Sequence, residues 1–238
     1  MNLADIHCHI LPYVDDGAQD YDEALELLRM EAKQHVRHIC LTPHLREGMF
    51  DSPNEKILRI GKELAKMGKE EEIPIRLHLS REYYFDKQTK ELIKQKRVIP
   101  MGQGVKTLLI EFSYDAHFSE IVDACRYVKA YGMRPLIAHV ERYHTIQNDP
   151  SHAKELAKLG ALLQNNAEAI LGNEDRSRKK LCEYLLSERL TSVIASDAHD
   201  VQYRIPELEK CAKYLSRKSG EDYTHALMYV NPINILKG

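Results

Sequence analysis

The 238-residue chain has no apolar run approaching the roughly 20 residues that a membrane-spanning helix needs. Nor does it open with a basic stretch followed by a long apolar one. The expectation is a cytoplasmic protein that is not integral to a membrane. Charge of one sign is also missing: 34 Lys and Arg stand against 36 Asp and Glu, a net of -2. No overall positive field would therefore hold nucleic acid nonspecifically. Cys-x-x-Cys pairs are absent, and the five cysteines (Cys8, Cys40, Cys125, Cys182, Cys211) are odd in number and scattered. Reduced thiols are expected. No Gly/Ser-rich or Pro-rich linker, low-complexity run or repeat interrupts the chain, so a single domain over 1–238 is expected. A hydrophobic content of 43% suffices for one sizeable core.

What the chain does have is alternation. Short apolar runs over Leu3 to Ile6, His38 to Leu41, Ile75 to Leu79, Thr107 to Phe112, Pro135 to Ala138, Ala161 to Leu163 and Thr191 to Ala195 read as buried strands. Helical patterns fall between them: one starting at Asp20 with Glu23 at the capping-box position, then Asn54 to Met67, Lys87 to Lys96, Ser119 to Tyr131, Ser151 to Leu159, Arg178 to Glu188 and Glu207 to Arg217. Strands alternating with helices predict an α/β fold with parallel strands.

Polar residues able to bind a metal follow nearly every strand: His7 and His9, His44, Glu82, Glu111, His139, then Asp197 and His199. In a barrel the C-terminal strand ends converge on one mouth, whereas an open sheet spreads them along a line. A barrel of about seven strands is therefore expected. His7 and His9 are two apart, so on a strand both face the same way. Alone, His-x-His could be surface decoration, and a lone Glu82 or Glu111 a solvated charge. Together with His139 and Asp197-Ala198-His199, they form the donor set that a two- or three-metal phosphate site uses, with imidazoles holding ions and carboxylates bridging them.

The stretches "DIHCHILPYVDDG" (Asp5 to Gly17), "TPH" (Thr42 to His44), "EYY" (Glu82 to Tyr84), "LLIEFS" (Leu108 to Ser113), "IAHVERY" (Ile137 to Tyr143) and "IASDAH" (Ile194 to His199) resemble the polymerase-and-histidinol-phosphatase (PHP) superfamily. More narrowly they resemble its bacterial protein-tyrosine phosphatases of capsule and exopolysaccharide loci, over nearly the whole chain. The resemblance implies a distorted (β/α)7 TIM-like barrel with three divalent ions, Mn2+ first and Fe, Zn, Co or Mg as alternatives. It places His7, His9, Glu82 and Asp197 on one ion, Glu82, Glu111 and His139 on a second, and Asp16, His44 and His199 on the third. Ser80-Arg81 departs from the pattern, which has a glycine-containing pair before the glutamate, and sets a cation beside a bridging carboxylate.

The implied reaction is hydrolysis of phosphotyrosine by metal-activated hydroxide, with a membrane-associated bacterial tyrosine kinase as the partner and no phosphoenzyme. Arg142 and Arg204 resemble the family's phosphate-binding arginines, and Arg46 is a further candidate for substrate recognition at the rim. A rival chemistry needs a cysteine followed by arginine after five residues, a spacing met by Cys40 with Arg46 and by Cys211 with Arg217. Neither stretch has the glycine that such a phosphate-cradling loop uses, and both cysteines fall in apolar or helical patterns, so packing roles are expected. Histidinol-phosphate hydrolysis is the nearest alternative activity. A metal-site nuclease is disfavoured by the absence of an obvious basic groove. A catalytically silent kinase-binding barrel is the alternative from another class, and it predicts lost ligands where none is missing.

Overall fold

The computed structural model describes residues 1–238. Nine strands alternate with helices: β1 (Leu3–Cys8), β2 (Val36–Leu41), β3 (His44–Leu45), β4 (Arg76–Leu79), β5 (Glu82–Tyr84), β6 (Thr107–Glu111), β7 (Arg134–Ile137), β8 (Leu162–Asn166) and β9 (Val193–Ala195). Every ladder between them is parallel, in the orders β1-β2-β4 and β3-β5-β6-β7-β8-β9. Parallel neighbours require crossovers, which the intervening helices supply. The α/β expectation is met.

Two of the expected strands are continued after a break that the apolar pattern did not reveal. Thr42-Pro43 separates β2 from β3, and Ser80-Arg81 separates β4 from β5. A two- or three-residue strand is too short to show alternation. Hydrogen bonding persists across the interruptions: the Ser80 N–H donates to the Leu41 carbonyl at 2.9 Å and the Glu82 N–H to the Pro43 carbonyl at 3.2 Å. At the other side, the segment after β9 runs beside the end of β1. Cys8 and Ala198 form a parallel bridge, with the Asp197 N–H on the His7 carbonyl and the His9 N–H on the Ala198 carbonyl, both at 2.8 Å.

Helix starts follow their caps. Asp20 accepts the Glu23 N–H at 2.9 Å and begins the helix Tyr21–Lys33, while the Glu23 carboxylate reaches one residue further back than a capping box, to the Gln19 N–H. Asp86 and Asp175 cap Lys87–Lys94 and Arg176–Ser187 in the same way. The C-terminal stretch, left unassigned by the pattern, is helical over Glu221–His225 and Asn231–Lys237 with a wide π-turn, Ala226–Val230, between them. Pro232 lies just past that turn, where its missing N–H and its ring disfavour ordinary α geometry.

Strand residues divide between two environments. Ala4, Ile6, Cys40, Leu109, Leu136 and Val193 pack with Ile233, Ile235 and Leu236 of the C-terminal helix. The opposite strand faces join two larger clusters with the surrounding helices. β1, β6, β7 and β9 are thus buried on both faces, which is why they read as short continuous apolar runs, whereas β4 keeps Arg76 exposed and its other residues partly so.

One polar pair lies away from the strand ends. His38 Nδ1 and His78 Nε2 are 3.1 Å apart on the adjacent strands β2 and β4. Burial, His38 and Arg76 push half-buried His78 down to about 4, and burial with Arg76 and Lys237 pushes His38 down as well. The fold favours neutral His78, so this contribution to stability is complete above about pH 6.5 and is lost as pH falls toward 4. Screened by solvent, it amounts to about 1 kcal/mol. The expected outcome is that His78→Leu reduces the fall in melting temperature between pH 7 and pH 5 by about 2–4 °C relative to the parent. Parallel melting curves for the two proteins would contradict it.

Candidate metal centre

Nearly every strand delivers a polar side chain to one mouth. β1 carries His7 and runs into His9; β3 and β5 begin with His44 and Glu82; β6 ends on Glu111; His139 follows β7, and Asp197 and His199 follow β9. Asp16 comes from the loop after β1. All nine residues expected as ligands meet here, in overlapping groups whose donor atoms lie within 4.8 Å of one another: His9, Asp16, His44 and His199; His7, Glu82 and His139; His7, His9 and Asp197; His44, Glu82 and Glu111.

The tightest group has a definite geometry. His7 Nε2 and His9 Nε2 are 3.3 Å apart, Glu82 Oε2 lies 3.2 and 3.4 Å from them, and Asp197 Oδ1 lies 3.4 Å from each. Neighbouring donors at about 2.0–2.1 Å from one ion are about 3.3–3.4 Å apart, so the separations of Glu82 and of Asp197 from the two imidazoles are those of residues sharing a metal. Buried polar atoms that make no aligned hydrogen bond point the same way: Glu82 Oε2, His44 Nδ1, His139 Nδ1 and His199 Nε2. The groupings overlap more than expected: His9 also lies with Asp16, His44 and His199, and His7 with Glu82 and His139. His44 turns Nδ1 toward Glu82 and Glu111, 3.0 Å from each, and Nε2 toward Asp16, 3.6 Å away. Glu111 is thus nearer to His44 than to His139, which lies 3.9 Å off.

Imidazole orientation is set from behind. The His9 Nδ1–H donates to Asp15 Oδ2 at 2.8 Å, and the same oxygen accepts the His44 backbone N–H at 2.9 Å. The His199 Nδ1–H donates to the Asp197 carbonyl at 2.9 Å, leaving Nε2 free. Asp15, next to Asp16 in the same motif, is therefore the carboxylate partner that metal-binding histidines commonly have.

The field is strongly polarised. Burial opposes ionisation of Glu82, but His7 and His44 outweigh it and hold the carboxyl well below its usual range. Burial likewise opposes the charge on Asp197, and Arg142, His7 and Arg204 overcome it. Burial resists the imidazolium at His44, as does His9, yet Glu82 and Glu111 push it up to about 10. His199 is pushed down, by burial and by His9. Clustered carboxylates draw protons onto imidazoles here, as they would draw a cation.

The arginines are differently placed. Arg142 is buried, donating from Nη1 to Asp197 Oδ2 at 2.8 Å and from Nη2 and Nε to Glu174 Oε1 at 2.7 and 3.1 Å. Arg204 is partly exposed and donates to Asp197 Oδ2 at 3.0 Å. Arg46 lies on the rim with its guanidinium 4.4 Å from the Tyr84 ring centroid, in a loop whose Phe50 ring stacks on His44. Glu174 escaped sequence reasoning because no strand end or motif marks it. β8, whose end carries no expected ligand, presents the fully buried Gln164, Asn165 and Asn166. Three successive amides at a strand end were the available signal.

All five cysteines are buried and unpaired. Burial and Asp5 push the Cys40 thiol up, and burial and Glu207 push up Cys211, which sits on the helix Leu208–Ser219. Neither is a thiolate nucleophile.

Arg81 resolves the local departure before Glu82. Its side chain donates to the carbonyls of His44 (2.7 Å) and Ser52 (2.7 Å) and to Asn54 Oδ1 (3.1 Å). It is buried with no carboxylate within ion-pair distance, so these charge-assisted bonds offset its desolvation and bind the 46–53 loop to the mouth. Arg81→Met is expected to raise the rate of limited proteolysis within residues 46–53 by about tenfold or more, the equivalent of about 1.4 kcal/mol of local stability. Arg81→Lys should recover part of it. An unchanged cleavage rate would remove the clamp role.

Comparison with known proteins places this geometry. Across 99% of this chain and 98% of the other, the sequence is 32% identical to the tyrosine-protein phosphatase CpsB of Streptococcus agalactiae serotype III (strain NEM316). A crystal structure from a study of YwqE from Bacillus subtilis and CpsB from Streptococcus pneumoniae, described as unique metal-dependent tyrosine phosphatases, superposes with a TM-score of 0.90 at 27% identity, over 98% of this chain and 94% of that one. The zinc-containing histidinol phosphate phosphatase of Lactococcus lactis shares the fold alone, with a TM-score of 0.60 at 15% identity over 92% and 94%. Residues 3–237, a span that takes in every donor of the mouth, match the family described as "Capsular polysaccharide synthesis, CpsB/CapC", and the chain belongs to it.

Proposed function

We propose that the protein is a metal-dependent protein-tyrosine phosphatase of capsule synthesis, acting as one domain over residues 1–238. Its proposed substrate is a phosphotyrosine protein, a membrane-associated bacterial tyrosine kinase, met on the cytoplasmic side. No helix is long and apolar enough to cross a membrane. The fold that goes with this reading is a distorted (β/α)7 barrel. β2 with β3 and β4 with β5 each count as one interrupted stave, and β1 and β6 to β9 supply five more; the hydrogen bonds across the breaks and the Cys8–Ala198 bridge support this count.

The observation that carries the reading is the 3.2–3.4 Å spacing of His7 Nε2 and His9 Nε2 from each other and from Glu82 and Asp197, in a mouth where five further donors converge. We assign three ions, the first to these residues, the second to Glu82, Glu111 and His139, the third to Asp16, His44 and His199. Mixed imidazole and carboxylate donors suit Mn2+, Fe, Zn or Co, and Mg less well. When bound, such ions supply Lewis acidity to the phosphoryl oxygens and to the attacking water.

The chain's own residues then have separable tasks. Asp15 and the Asp197 carbonyl hold the His9 and His199 rings with Nε2 turned inward. Arg204, at the open side, is placed to take a phosphoryl oxygen. Arg142 has its fork occupied by Asp197 and Glu174, so it serves phosphate directly only by exchanging Glu174 and otherwise steadies Asp197. Arg46 at the rim is placed to meet the substrate protein. A tyrosyl leaving group, with a pKa of about 10, departs with less protonic help than an alkyl alcohol needs.

Hydrolysis of a phosphotyrosine peptide and of histidinol phosphate, measured side by side before and after chelation with Mn2+ added back, tests this. The peptide is expected to be preferred, activity to vanish on full metal removal, and Mn2+ to restore it. Activity indifferent to chelation would sink the mechanism, and preference for histidinol phosphate would reassign the substrate. His7→Ala and Asp197→Ala should each lower kcat/KM by at least about a hundredfold. Cys211→Ser should leave most of it.

A further inference from the structure

Three consecutive amide side chains end β8, and none of them has any exposure. Gln164 and Asn166 are two apart and share the strand face that looks into the mouth. Asn165 points the other way, where its Nδ2 donates to Glu141 Oε2 at 2.7 Å and its Oδ1 accepts the Thr191 hydroxyl at 2.9 Å.

The inward pair makes a chain of hydrogen bonds with one possible direction. The His139 backbone N–H, which can only donate, lies 2.7 Å from Gln164 Oε1. That contact settles which end of the amide is oxygen. The same oxygen is 2.9 Å from His7 Nδ1, so His7 must carry a proton there, and as the neutral imidazole that binds a metal it has its lone pair on Nε2. Gln164 Nε2 then donates to Asn166 Oδ1 at 2.7 Å, which obliges Asn166 to present Nδ2 to Asp197 Oδ2, 2.8 Å away. Asp197 Oδ2 also receives Arg142 and Arg204 at 2.8 and 3.0 Å. Asp197 Oδ1 has none of these donors and faces His7 Nε2 and His9 Nε2. Reversing either amide would set acceptor against acceptor in a dry site, at about 1–3 kcal/mol for each buried group left unmatched.

We propose that Gln164 and Asn166 are positioning residues that select the metal-facing atoms of His7 and Asp197, Nε2 on the one and Oδ1 on the other. The relay ties together residues that follow or lie on three different strands, β1, β7 and β9, through the end of a fourth. Neither amide touches substrate or metal in this assignment. It rests on the metal reading given above.

The test is Mn2+ affinity of the full-length, chelator-stripped protein, measured in competition with a fluorescent chelator, alongside melting temperature without metal. Gln164→Met and Asn166→Leu are each expected to weaken Mn2+ binding by about 10–100-fold. The double variant should be no weaker than the more affected single one, because both break the same chain. Asn165→Ala, equally buried but facing away, should lower the melting temperature while leaving Mn2+ affinity in place. Should the apolar variants not fold, Gln164→Glu and Asn166→Ser carry the same expectation, since the first keeps the acceptor for His7 but loses the donor for Asn166. A parent protein that fails to bind Mn2+ would overturn the metal reading itself. A Mn2+-binding parent whose variants at 164 and 166 bind equally well, or whose losses simply add, would overturn the relay alone.

Discussion

A single carboxylate, Glu82, organises the molecule's mouth. It has no exposure, and nitrogen atoms of four histidines surround it: His139 at 2.9 Å, His44 at 3.0 Å, His7 at 3.2 Å and His9 at 3.4 Å. A buried ion costs several kcal/mol to desolvate unless opposite charge answers it. Those four histidines come from or beside β1, β3 and β7, so the compensation must be gathered from across the sheet. Strand order, stagger and the breaks at Thr42-Pro43 and Ser80-Arg81 are the means by which these groups reach one point.

Holding them there requires backbone conformations that most residues avoid. His139 and Asp197 adopt positive φ, 31° and 54°, as does Tyr13 at 66° in the loop after β1. Each such residue costs about 1–3 kcal/mol and persists only where neighbours over-determine it. The same loop closes on Gly17, where an added Cβ would lie 1.9 Å from the His9 carbonyl oxygen. Only glycine allows that approach, and with it the return of Asp15 and Asp16 to the mouth. Arg81 does the corresponding work on the far side by fastening the His44 loop.

Much of this was legible in the order of residues. Seven buried apolar runs announced a parallel α/β fold, and a donor after nearly every run announced where the chemistry would gather. Motifs beginning with Asp5 to Gly17 marked each donor that meets there. The short continuations β3 and β5 were not legible, because two or three residues carry no period. The run Gln164 to Asn166 could be seen in the sequence, but not its task, which lies in a direction of hydrogen bonding that only packing defines. Arg81 read as an electrostatic conflict with Glu82 because the carbonyls of His44 and Ser52 that take up its guanidinium lie far from it along the chain. Glu174 sits in a connecting segment and acquires meaning only through Arg142.

The depth of the cysteines matters beyond excluding a thiol nucleophile. Peroxides and other electrophiles act on accessible thiolates, and a phosphatase that works through one is silenced when that sulfur is oxidised. Here all five sulfurs are enclosed, and burial holds Cys8, Cys40, Cys125, Cys182 and Cys211 as neutral thiols. Oxidant signalling has no cysteine handle on this protein. What its architecture exposes to the surroundings instead is a mouth of metal-binding donors.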